Sequence, residues 1–182
     1  MANFDPISQW LIYQEDSHSH PGATINLADG AGMTRFGITS KTFAMFVPAT
    51  FFTTLPFVDA VKAAKELYKS QYWDKFHGDM IVSDQVAALL LSFSVNKNIP
   101  TAVKALQHVL AVAQDGMLGP NTILTLNQKS PIAVASQFRA EWENYYRTLV
   151  DVNPSLQRFL QGWLNRVDFP YPSSLVGTTY VT

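Results

Sequence analysis

The sequence predicts a mainly α protein with one small β element near its N-terminus, and three observations carry that prediction. Apolar residues recur at three- and four-residue spacing through most of the chain after Thr39. Helix-start residues punctuate those stretches one after another. Strand-like patterning is confined to a polar, glycine-bearing excursion over residues 16–37. A chain of 182 residues, 47% hydrophobic and only 15% charged, can bury a substantial core, which excludes a disordered tail or a coiled coil.

In chain order, Phe4, Ile7, Trp10 and Leu11 lie on one face behind Asp5 and Pro6, the pattern of a short amphipathic helix with Glu15 at its end. The following run, DSHSHPGATINLADGAGMTRFG, is too long for a simple turn and too broken for a helix, so a hairpin is expected. Beyond it, Ser83, Asn98 with Pro100, Gly119 with Pro120, Ser130 with Pro131, and Asn153 with Pro154 suit N-cap and first-turn positions. Along the longest helix Ile132, Ala135, Phe138, Trp142, Tyr145 and Leu149 form a stripe expected to be buried.

Thirteen basic against fourteen acidic residues give a net charge of -1, so no positive field draws in nucleic acid. The absence of cysteine excludes disulfides, thiolate metal sites and cysteine nucleophiles. The opening MANFDPISQW has neither the basic nor the apolar run of a signal peptide, and no apolar stretch reaches the length of a membrane span. No stable membrane insertion is expected, and a monomer is.

Glu15, Asp29 and Thr34 place two carboxylates and a hydroxyl where a helix and a hairpin can fold back on one cleft. Glycosidic cleavage needs an acid beside the leaving oxygen and a second group that activates water or stabilises charge on the sugar. On spacing alone, solvated acidic residues are the better account.

The wider pattern decides between them. Residues 15–39, ending in DGAGMTRFGIT, resemble the EGGY…DxGGxTxxGIT signature of glycoside hydrolase family 108, bacterial and phage N-acetylmuramidases with a lysozyme-like fold. KELYKSQYWDKF resembles the family's helix ending in YW, and SVNKN its VNxG segment. ALQHVLAVAQDGMLGPNTILTLN is similar to its LQxxLGVxxDGxxGPxT peptidoglycan-binding-type region, and RAEWENYYRTLVDVNPSLQRFLQGWLNRV to its final run into GWxxR. The resemblance implies a two-lobed fold, with a catalytic lobe and hairpin in residues 1–70 and a helical, peptidoglycan-binding-type lobe in residues 71–182. It implies hydrolysis of the β-1,4 bond between N-acetylmuramic acid and N-acetylglucosamine in peptidoglycan, without a cofactor. Glu15 matches the catalytic acid; Asp29, Gly32, Thr34 and Gly37 match the hairpin signature, Asp29 with Thr34 positioning or activating water. A role as a phage endolysin, made in the host cytoplasm and acting on the wall, follows from the same likeness, with a secretion-associated muramidase as the other setting.

The chain also departs from the pattern. Asp16 and Ser17 replace the glycines after the glutamate, Ala31 replaces one of the GG pair, HSHPGATINLA lengthens the hairpin, and Ser92 stands where an acidic residue is common. These changes keep open a non-catalytic peptidoglycan-binding or virion-structural protein, and a transglycosylase, which needs one glutamate only. With Asp29 well separated from Glu15 along the chain, an inverting mechanism is expected, its carboxyl groups roughly 6.5 to 9.5 Å apart.

Tyr72 and Trp73 can stack on a sugar ring, with burial competing for Trp73, and Asn96 can bond an N-acetyl group or the end of its own helix. His18 and His20 share one face of a strand, but no third protein ligand is identifiable, so no metal is expected. Asp115, Gly116, Gly119 and Pro120 suit turn and helix-start chemistry, and Trp163 and Arg166 suit packing of the last helix.

Overall fold

The computed structural model describes residues 1–16, 20–27 and 32–171. Among these the fold is mainly helical, with one three-stranded antiparallel sheet of order β1-β2-β3, as the sequence predicts. The chain divides into two compact units, one built of Phe4–Gln71 and the other of Met1–Asn3 and the described residues from Tyr72 onward.

In the first unit, α1 (Phe4–Glu15) buries Ile7, Trp10, Leu11 and Ile12, and packs on α3 (Phe57–Tyr68). Alanines at 60, 63 and 64 on the buried face of α3 let the two helices approach closely. Asp5, in the first turn of α1, meets Lys65 Nζ at 2.6 Å. That pair is too exposed to contribute more than about 1 kcal/mol.

Between the helices run β1 (Ile25–Leu27), β2 (Gly32–Arg35) and β3 (Ile38–Thr39), followed by the single turn α2 (Ser40–Phe43). Ile25 pairs with Thr34 and Leu27 with Gly32, while Thr34 pairs with Thr39 and Arg35 with Ile38. The last pair leaves a two-residue connection, Phe36 and Gly37, at φ 50° and 74°. Positive φ at both central positions is what a primed hairpin turn requires. Phe36 is buried and makes edge contacts with Phe51 and Phe57, so packing holds a non-glycine residue in this costly conformation.

Arg35 ties the base of the hairpin to the loop before α3. Its Nε donates to the Gly22 carbonyl at 2.8 Å, and its Nη1 to the carbonyls of Phe51 at 2.8 Å and Leu55 at 2.9 Å. Burial draws the guanidinium below the usual arginine value, and the charge of Asp16 opposes that shift. Three carbonyls depend on one cation, so Arg35→Met should lower unfolding free energy by about 2–3 kcal/mol, measured by urea unfolding.

The second unit is a set of helices around α4 (Asp84–Asn96), whose residues 86–94 are all buried. Ser83 caps it by accepting from the Val86 N–H, and Asn98 caps α5 (Ile99–Leu110) through the Thr101 N–H. Pro120 opens α6 (Pro120–Gln128) and Pro131 opens α7 (Pro131–Val152), as expected; Asn153 and Pro154 open a 3-10 turn instead, leading into α8 (Gln157–Asp168). The chain start is stitched to this unit by Ala2 N–H on the Ile81 carbonyl and Asn3 N–H on Asp84.

The buried stripe of α7 differs from the expected one. Val134, Phe138, Trp142, Tyr146 and Val150 face the core with Ala135, whereas Ile132 is 79% exposed and Tyr145 half-buried. The contact follows the four-residue ridge that packs against a neighbouring helix, and Phe93 of α4 stacks on Trp142 at 4.7 Å.

Candidate active site

The first unit brings Glu15 against the hairpin turn. Glu15 is the last residue of α1 and half-buried. A Cβ built on Gly37 would lie 2.8 Å from Glu15 Oε2 and 3.0 Å from its Cβ and Cγ. Only a residue without a side chain lets the turn backbone lie along the glutamate in this way. Behind the turn, Tyr68 of α3 donates its hydroxyl to the Phe36 carbonyl at 2.7 Å. The bond ties the turn to α3, and Glu15 lies along that turn at the end of α1.

Thr34 lies in the same ribbon. Residues directly opposite in an antiparallel pair point to one face, so Thr34 and Thr39 share a side, and Arg35 takes the buried one. Gly32, at φ 77°, leaves room for Ser40, whose Oγ accepts from the Met33 N–H at 3.0 Å and fixes the start of β2 to α2. Asp29 and His18 lie outside the described residues.

Asp16, one of the departures from the family pattern, has a structural use. Its Oδ2 accepts from the Gly22 N–H at 2.8 Å, closing the chain where Arg35 grips the Gly22 carbonyl. The change therefore supports the hairpin base. Sequence reasoning passed over Arg35, Phe36, Ser40 and Tyr68. A tyrosine on the apolar face of α3 carried a signal, since a buried hydroxyl needs a partner.

The remaining expected site residues belong to the second unit. Trp73 is 0% exposed, its indole N–H donates to Asp79 at 2.8 Å, and its ring has the Gly78 backbone against one face. This corrects the reading of Trp73 as a sugar platform: no face is open to a saccharide, and the ring is core. Tyr72 beside it is half-buried. Asn96 closes α4, half-buried, with its Oδ1 accepting from the Tyr146 hydroxyl. Ser92, which stands where an acidic residue is common, is fully buried. His20 is exposed, and among the described residues no group of three or more metal-ligating side chains occurs.

Residues 19–97 match the family model Glycosyl hydrolase 108, and residues 101–168 match the Predicted Peptidoglycan domain. The structure of Brucella abortus SagA has the same fold at TM-score 0.68 and 22% identity, over 90% of this chain and 88% of that one. The mainly α, lysozyme-like fold class is the one this likeness shows. No curated protein matches the chain.

Proposed function

We propose that the chain, whose residues 19–97 match the glycosyl hydrolase 108 family and whose residues 101–168 match a predicted peptidoglycan domain, is a peptidoglycan hydrolase of that family, an N-acetylmuramidase with Glu15 as its general acid. The observation that carries this reading is the seating of Glu15 against Gly37 in the Phe36–Gly37 turn, where a glutamate of the family signature meets the glycine of the same signature. The bond cleaved is the β-1,4 link from N-acetylmuramic acid to N-acetylglucosamine. Glu15 passes its proton to the glycosidic oxygen as the bond to the anomeric carbon lengthens, and water held by Asp29 and Thr34 adds to that carbon. Asp29 takes the proton that the water loses, exchange with solvent returns a proton to Glu15, and the products are a reducing muramic acid end and a free glucosamine 4-hydroxyl.

Tyr72 is the proposed stacking residue now that Trp73 is packed away. Asn96 offers its amide N–H₂ to an N-acetyl carbonyl while Tyr146 holds its oxygen. Among the described residues no helix is long and apolar enough to cross a membrane. Lysis of a host cell, in the role of a phage endolysin, is the setting proposed for the activity.

Digestion of purified peptidoglycan followed by mass analysis tests the reading. Reducing N-acetylmuramic acid ends are expected; anhydromuramic ends would make the enzyme a transglycosylase, and binding without any product would make it a glycan-binding protein.

A further inference from the structure

The first unit displays an apolar tip that the muramidase reading does not use. Residues 43–49, FAMFVPA, run from the end of α2 through the 3-10 turn Ala44–Phe46, and every one of them is half-buried or exposed. Met45, at the crest, is 84% exposed and Phe46 46%, with the Phe43 ring 6.3 Å from that of Phe46. Exposed apolar side chains are ordinary when scattered singly; an unbroken run of them marks a surface of interaction.

The tip is held out by structure on both sides. Before it, Ser40 accepts from the Met33 N–H and ties α2 to the sheet. After it, the Pro48 carbonyl accepts from the Phe51 N–H, Phe51 and Phe52 turn into the core, and Arg35 grips the carbonyls of Phe51 and Leu55. The fold thus buries two phenylalanines of this stretch while presenting Met45 and Phe46 outward. Their exposure belongs to the fold, not to slack in a loop.

Charge narrows the occupant. Between Phe36 and Val58 the only charged residue is Lys41, exposed, in a chain whose net charge is -1. Thr42, Thr50, Thr53 and Thr54, also exposed, add hydroxyls to the two flanks of the tip. An apolar crest with cationic and hydroxyl-bearing flanks matches the layering of an anionic bilayer, whose phosphates lie outside its acyl chains. Shape narrows it further. A stable protein interface takes about 800 Å² and roughly 20–30 residues from each partner, more than a short run rising to one crest supplies. Lipid tails close around an apolar group of any outline.

We propose that the tip of residues 43–49 docks the protein reversibly on an anionic lipid bilayer, with Met45 and Phe46 entering the boundary of the acyl chains and Lys41 meeting headgroup phosphates. This is attachment to a surface, which needs no apolar helix of membrane length. It does not depend on which bond the protein cleaves.

Cosedimentation of the full chain with vesicles of equal parts phosphatidylglycerol and phosphatidylethanolamine tests it, with phosphatidylcholine vesicles as the neutral comparison. Binding to the anionic vesicles is expected, and weaker binding to the neutral ones. Met45→Asp and Phe46→Ser should each weaken it at least about tenfold, or 1.4 kcal/mol, and Lys41→Gln about fivefold at low salt only. The chain has no cysteine, so Met45→Cys takes a single environment-sensitive fluorophore, whose emission should shift to the blue on the anionic vesicles. Melting temperatures within about 4 °C of the wild type show that the fold is kept. Absence of vesicle binding, unchanged affinity in both tip variants, or a fluorophore that does not respond would overturn the proposal. So would a fall in cleavage of lipid-free peptidoglycan by the two tip variants, which would make the tip a glycan contact, or the loss of a dimer in them, which would make it a contact between copies. A protein that cleaves peptidoglycan but ignores vesicles refutes this docking surface alone; one that binds vesicles through the tip but cleaves nothing refutes the muramidase reading and leaves the docking surface standing.

Discussion

Glu15→Gln is expected to reduce the rate of peptidoglycan cleavage by at least about 10²-fold while leaving the fold intact. The substitution keeps the shape of the side chain and its contact along Gly37, so the packing between α1 and the hairpin turn survives. What it removes is a proton that can be passed to the glycosidic oxygen, and an alkoxide sugar is too poor a leaving group to depart quickly without one. An isosteric change at a half-buried position should move the melting temperature by no more than about 2–3 °C in a chain of this size. Turbidity clearing of purified cell walls and a thermal melt, run on the same preparations, measure the two quantities separately. Asp29→Asn should cost less than Glu15→Gln, because Thr34 and neighbouring groups can still hold a water. A folded Glu15→Gln protein that clears walls at the wild-type rate would show that Glu15 merely ends a helix, and the catalytic assignment would fall with it.

Local chemistry was legible in the sequence, and long-range chemistry was not. Ser83 and Asn98 could be placed because a cap bonds a backbone N–H three residues away, and both do so. The hairpin could be placed because its glycines and polar residues interrupt helical periodicity between two regions that keep it. By contrast, the partners of Arg35 are the carbonyls of Gly22, Phe51 and Leu55, and the partner of Tyr68 is the Phe36 carbonyl. Nothing in the neighbouring sequence of either residue names such partners. Tyr72 and Trp73 show a different limit: adjacent aromatics in one turn point in different directions, so one is buried and one half-buried, and composition cannot say which. On α7 the misplaced stripe arose from starting the face at Ile132, which lies in the first turn beyond the reach of the core. The role of Gly37 was legible only as part of a motif; its physical reason, the glutamate lying against it, is a property of the fold.

That contact sets the second large effect. Gly37→Ala is expected to lower kcat by about 10²-fold, more than its cost in stability accounts for. The new methyl would sit 2.8 Å from Glu15 Oε2 and 3.0 Å from its Cβ and Cγ, so the whole glutamate side chain must swing aside, not its tip alone. A displacement of about 1 Å at a reacting group can cost 10²-fold in rate. The left-handed backbone at φ 74° adds about 1–2 kcal/mol of strain for any residue with a Cβ, which lowers the melting temperature without touching the chemistry. Gly32→Ala separates the two contributions. Gly32 also sits at positive φ, 77°, but a Cβ there meets the Ser40 hydroxyl and not the glutamate. Both variants should therefore lose similar stability, and only Gly37→Ala should show the large fall in kcat when assayed well below its melting temperature. Equal kcat values for the two alanine variants would mean that the turn matters for folding alone and that Gly37 does not position Glu15.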